Sequence, residues 1–137
     1  MLASRLVEEL TVKGACRFLH RPARANEIIA SNALIPPAET LDLQSLISTT
    51  AHGVSSRVLA KTAGGTVTLF AFDAGQELSE HSTPFDALAL VLEGAVTLTI
   101  GGAAVQATPG TVVRMPANIP HAVRAPETAR MLLIMLR

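Results

Sequence analysis

"GQELSEHSTPFDALALVLEG", residues 75–94, holds a spacing that decides how the chain folds. Five residues separate Gly75 from His81, and a strand-length interval leads on to Gly94. The stretch reads as a β-turn-β unit. A second stretch, "GTVVRMPANIPH" at residues 110–121, repeats the device: five residues separate Gly110 from Pro116, and His121 closes it. Fifteen residues lie between Gly94 and Gly110, room for two strands and a tight hairpin.

Those fifteen residues include "AVTLTI", where Val96, Leu98 and Ile100 face one side and Thr97 and Thr99 the other. Gly101-Gly102 supplies the positive φ angles of a two-residue turn. Further out, period-two patterning predicts strands over 41–47, 54–60, 66–72, 87–92, 95–100, 103–107, 111–115, 120–124 and 130–136. "RMLLIMLR", at 130–137, is apolar on both faces, as a strand covered by its neighbours would be. Short strands broken by Gly and Pro argue a barrel or sandwich rather than βαβ units.

The remainder of the chain sets bounds. Its 137 residues amount to one domain, 49% apolar but with only Phe18, Phe70, Phe72 and Phe85 as aromatics, so the core is aliphatic. Eleven basic and eleven acidic residues cancel. No field exists to hold a phosphate backbone, and nucleic acid is not an expected partner. Cys16 is the only cysteine, which excludes an intrachain disulfide framework and a cysteine zinc cluster. Arg5, Glu8 and Glu9 interrupt the apolar run that a signal peptide needs, and no stretch reaches the ~20 apolar residues of a membrane helix. No membrane partner is expected, and the cytoplasm is the expected compartment.

Composition shifts at Pro36-Pro37. Residues 1–35 carry five Lys/Arg against three Asp/Glu, and the rest carry six against eight. Leu2, Leu6, Val7 and Leu10 recur at helical spacing, and "RFLHRPARANEII" reads as an irregular basic connector. Residues 1–37 are expected to form a partly helical or irregular extension, of which 1–35 either packs on a partner subunit or stays partly disordered, and residues 38–137 the β domain.

From residue 40 onward the chain resembles the cupin superfamily, as a small single-domain bacterial-type member. That family's motifs run Gly, five residues, His, one, His, three or four, Glu, six, Gly; then Gly, five, Pro, one, Gly, two, His, three, Asn. Gly75, His81 and Gly94 match the first, and Gly110, Pro116 and His121 the second. Thr83 stands at the second His, Ala87 at the Glu, Asn118 at the inner Gly and Ala125 at the Asn. The resemblance implies an all-β fold, an antiparallel jelly-roll barrel (a double-stranded β-helix), and often a homodimer. It also implies a metal held by three His and one Glu, of which only His81 and His121 remain. Asn118 preserves the turn, because Asn tolerates the left-handed region.

Two imidazoles are short of the three protein ligands usual at catalytic zinc, and of the two-His-one-carboxylate set of Fe(II) oxygenases. The expected cofactor is at most a weakly held divalent ion (Zn, Ni, Mn or Fe) on His81 and His121. Asp86 is one residue out of register with Ala87 and becomes a ligand only if "STPF" bends it inward. Alternatively the two histidines form a hydrogen-bonded polar pair, with Thr83 as a suitable partner. Glu77 and Glu80 are expected on a solvated turn edge, and His20 and His52 on surface loops. Phe70, Phe72, Ala87, Ala89, Val91, Val113 and Met115 are candidates to line the barrel. The expected small-molecule ligand site comprises His81, Thr83, His121, Phe72, Ala87 and Met115.

Three functions compete: a small-molecule binding or sensor protein, a metal-dependent isomerase, lyase or oxygenase using both histidines, and a structural dimer with a vestigial pocket. The missing ligands favour the first over the second. Two retained histidines favour it over the third.

Overall fold

A computed structural model describes residues 34–137 in full and the backbone of residues 28–31. Among the described residues ten strands fall in two sheets: β1 (Ile28–Ser31), β2 (Val54–Thr62), β3 (Gly65–Phe72), β4 (Glu77–His81), β5 (Asp86–Glu93), β6 (Val96–Ile100), β7 (Ala103–Ala107), β8 (Val112–Met115), β9 (His121–Arg124) and β10 (Ala129–Leu136). One sheet runs β1-β2-β3-β10-β5-β8 and the other β4-β9-β6-β7. Every pairing but the parallel β1–β2 is antiparallel. This is the all-β jelly-roll barrel that the motif spacing predicts.

The main core lies between the sheets. Phe70 and Phe72 on β3, Met131, Leu133 and Met135 on β10, and Ala87, Ala89 and Val91 on β5 meet Leu78, Val96, Leu98 and Val123 of the facing sheet. Alternation explains the selection, since every second residue points inward wherever a strand is not interrupted by a bulge. The expected lining residues are all there, with Val113 only partly buried. β10 is apolar on its other face too because a second cluster lies outside the barrel. There Leu132 packs with Leu59, Leu69 and Ala71 beneath Leu43, Leu46 and Ile47.

That outer cluster explains one departure from expectation. Residues 41–47, predicted as a strand, contain a 3-10 helix over Leu43–Leu46. The Asp42 side chain accepts from the Gln44 N–H, and Ser45 Oγ donates to the Asp42 carbonyl. These local bonds favour a turn, and the turn brings Leu43, Leu46 and Ile47 onto the sheet together. β1 and β4 lie outside the strands that period-two patterning predicts, β4 being the first arm of the β-turn-β unit at 75–94, and β1 extends the sheet into the expected irregular connector. The amphipathic segment 2–10, Cys16 and His20 lie outside the described residues.

The motif glycine Gly94 shows why its position admits no side chain. Its φ is +69°, and a Cβ there would collide with the Thr128 carbonyl oxygen. Gly101 and Gly102, at φ +56° and +86°, make the β6–β7 hairpin turn. Among the described residues no helix is long and apolar enough to cross a membrane.

Candidate functional site

β4 and β9 pair so that His81 and His121 are direct partners. Regular alternation would not place both Leu78 and His81 inward, because they are three residues apart. Both are buried nonetheless, while Glu77, Ser79 and Glu80 between and before them are exposed. The reason is a bulge: from Leu78↔Val123 to His81↔His121, β4 spends one residue more than β9. The extra residue resets the alternation and returns His81 to the interior. This break in period removes the alternation that marks the other strands, so β4 is legible only through the β-turn-β spacing of residues 75–94.

The two rings meet edge to face, centroids 4.5 Å apart and planes at 66°. Each is held in the same way by its own chain. His81 Nδ1 lies 2.7 Å from the Ser79 carbonyl oxygen, and His121 Nδ1 lies 3.0 Å from that of Ile119. A carbonyl only accepts, so Nδ1 carries the proton in both rings, and a neutral ring then presents its lone pair at Nε2. Burial pushes the His81 pKa below the ordinary histidine value; the Ser79 carbonyl opposes this and the neighbouring His121 adds to it. The neutral, Nε2-accepting form of His81 is therefore favoured.

The expected histidine partner Thr83 serves elsewhere. It is buried, but its hydroxyl donates to the Phe85 carbonyl at 3.0 Å, and its own carbonyl accepts from the Asn118 N–H at 2.7 Å. Asn118, at φ +64°, holds the left-handed turn its identity predicts. Two backbone carbonyls, Ser79 and Ile119, take the role considered for Thr83. Backbone carbonyls leave no mark in a sequence.

Both carboxylate oxygens of Asp86 are engaged away from the histidines. Its Oδ2 accepts from Arg114 Nε at 3.1 Å and Nη2 at 2.6 Å, and its Oδ1 accepts from the Ala117 N–H at 2.8 Å. The Ala117 N–H, with Arg114, holds its carboxyl below the usual aspartate range. The physical reason is the one alternation gives: Ala87 faces inward at 3% exposure, so its neighbour faces out. Asp86 instead fastens the 116–120 turn to the 82–85 turn, alongside the Asn118–Thr83 bond.

Register locates the other candidates. Ala87 pairs with Met115 and Met135, and Met135 with Thr66, forming one row across the sheet. The 82–85 turn joins this row to His81, and the 116–120 turn joins it to His121. Ala87, Met115, Thr83 and the histidines therefore share one end of the barrel. Phe72 does not belong there. It pairs with Ala129 and Val54, six residues along β3 from Thr66, which is roughly 20 Å of extended strand. Phe72 is core at the far end.

The donors present do not fit the four-ligand ion that the resemblance implies. Ala87 offers only a methyl group, and Thr83 offers a neutral hydroxyl, whose O–H donates to the Phe85 carbonyl, in place of an imidazole. Among the described residues no group of three or more His, Cys, Asp or Glu converges to hold a metal. His52 is exposed in a turn at φ +58°, its N–H donating to Asp73, in accord with a loop histidine.

Comparison with known proteins agrees with this architecture. The family model described as "Cupin domain" matches residues 68–136. A conserved protein of unknown function from Streptococcus pyogenes is 35% identical with a TM-score of 0.71, over 75% of this chain and 90% of that one. A cupin superfamily protein from Desulfitobacterium hafniense is 31% identical with a TM-score of 0.70, over 74% of this chain and 94% of that one. A cupin 2 conserved barrel domain protein from Leptotrichia buccalis is 31% identical with a TM-score of 0.68, over 71% of this chain and 47% of that one. No curated protein matches the chain.

Proposed function

The chain belongs to the cupin domain family, and within it we propose a binding or sensor protein that takes a small molecule at the barrel end around His81 and His121. The observation that carries this reading is the shared tautomer. Both Nδ1 protons are committed to backbone carbonyls, so two Nε2 lone pairs stand ready to accept from a ligand donor. The surrounding Ala87, Met115 and Met135 are apolar, which suits a pocket with a polar end. Fold alone does not choose among cupin activities, so the weight rests on these side chains.

A second reading, a metal-dependent enzyme using His81 and His121, has one observation in its favour. A ring held through Nδ1–H by a carbonyl is also how proteins orient histidines toward metals. Two ligands predict modest affinity, with solvent at the remaining positions of any ion. Metal titration of untagged wild-type and His81→Ala protein separates the two. Binding no tighter than the high micromolar range supports the first reading, and tight stoichiometric metal the second.

A further inference from the structure

Two side chains at this end of the barrel are not accounted for. Thr66 and Thr68, on β3, are 2% and 1% exposed, and neither hydroxyl oxygen has a hydrogen-bond partner. They alternate with Phe70 and Phe72 and so face the interior. Thr66 lies in the row Thr66–Met135–Ala87–Met115, and Thr68 in the next, Thr68–Leu133–Ala89–Val113. Ala87 and Ala89 are the smallest side chains of those rows. The first row is the one the 82–85 and 116–120 turns connect to the histidines.

A buried hydroxyl without a partner is costly, and valine, of nearly the same shape, would remove the cost. Two such hydroxyls in adjacent rows, facing an apolar interior whose other polar groups include the histidine Nε2 atoms, are the second pole of a site. We propose that Thr66 and Thr68 form a hydroxyl-reading subsite, and that the ligand is a small neutral polyol spanning from them to His81 and His121. The proposal rests on the binding reading above and adds the ligand's chemical class.

Donor and acceptor arithmetic selects that class. The Nε2 atoms need donors, and the threonine hydroxyls can donate or accept. A ligand hydroxyl satisfies both, donating to Nε2 and accepting from threonine. A carboxylate has no proton for Nε2 and would bring a charge into an interior where, among the described residues, no Lys or Arg is buried.

The test uses full-length protein at pH 7.5, with erythritol as the neutral probe and threonate as a four-carbon carboxylate. NMR follows the histidine ring and threonine methyl signals in wild type, Thr66→Val, Thr68→Val and the double variant. Erythritol should shift both sets in wild type, with threonate at least tenfold weaker. Each valine variant should lose about tenfold in erythritol affinity, the worth of one good hydrogen bond. Each should also raise the Tm of the free protein, by about 3 °C, because an unpaired hydroxyl is gone. If erythritol shifts the histidines equally in the double variant, the threonine subsite is wrong while the binding site stands. Equal binding of threonate overturns the neutral-ligand assignment, and a lowered Tm in the valine variants shows that the hydroxyls already have partners. If neither probe moves the histidine signals, the polyol assignment is wrong, while the binding reading is judged by its own metal titration.

Discussion

Ala87 is the position where a single carboxylate would most change this protein. Its side chain is 3% exposed, in one row with Met115, Met135 and Thr66. Replacing it in Ala87→Glu introduces an acid with an unperturbed pKa of about 4.3 into that apolar row. Burial raises a carboxyl's pKa, and a rise of roughly 2 to 3 units is ordinary for such a site. At pH 7 the penalty is about 3 kcal/mol, from about 1.36 kcal/mol per unit. With 137 residues and about 2.1 cal/mol/K per residue, 1 kcal/mol moves Tm by about 3.5 °C, so the variant should melt about 10 °C lower than Ala87→Gln, which shares its bulk. The gap should close as pH falls below about 4.3, where folded and unfolded chains are both protonated. A divalent ion should then repair the site, because the new carboxylate and the two Nε2 atoms make a two-His-one-carboxylate set. At one hundred times its Kd, the ion should return about 2.7 kcal/mol, or most of the lost Tm. Adding Thr83→His should strengthen this further. Thermal melts of the Glu and Gln variants from pH 4 to 8, with and without Ni²⁺, measure every part. Identical melts at pH 7 without metal, together with no nickel-dependent rise, would refute the geometry assigned to Ala87 and both histidines.

Three other outcomes are expected. Because the His81 pKa is lowered in the folded protein, its contribution to stability is fully present above the unfolded value of about 6.5 and is lost as pH falls toward the folded one; urea midpoints across pH 5 to 8 should show this fall, and His81→Gln should flatten it. Gly94→Ala should destabilise by at least about 1 kcal/mol, through the left-handed backbone and the clash with the Thr128 carbonyl, whereas the same change at Gly110, where a Cβ meets nothing within 4 Å, should be milder; paired melts decide it. We propose a homodimer, for which exposed Val112 and Ile119 are candidate contacts; a monomer by sedimentation at micromolar concentration would count against it.

The barrel was readable wherever one residue in two had to be apolar. "AVTLTI", the Gly101-Gly102 turn and "RMLLIMLR" predicted strands that the structure contains with ends shifted by a residue or so. Reading failed where alternation was broken or borrowed. β4 contains a bulge, so its two inward residues stand at an odd spacing. Residues 41–47 begin with an alternating Leu41 and Leu43, yet Asp42 and Ser45 bond locally and close a turn. For the site, the motif spacing brought His81 and His121 together, but their backbone partners carry no sequence signal. Asp86 was a candidate only if its loop bent, and Arg114, 28 residues away, holds it outside. Thr66 and Thr68 were available to the same reasoning that placed Phe70 and Phe72 inward. Threonine is so usual in strands that a hydroxyl on the inner face carries no distinctive signal.

The bulge in β4 has a consequence beyond aiming a histidine. Among the described residues β4 ends the order of its sheet, and an unpaired strand edge is a template on which other chains can add and aggregate. The interrupted ladder, with Glu77 and Glu80 exposed beside it, denies that template to an incoming strand. At the other end of the order, β7 pairs with β6 in unbroken register and exposes Ala103 to Gln106 without a charge. The two edges are therefore unequal in their exposure to self-association. A single lysine at Val105 should suppress aggregation on heating, whereas straightening β4 by deleting Glu80 should promote it even where the fold survives.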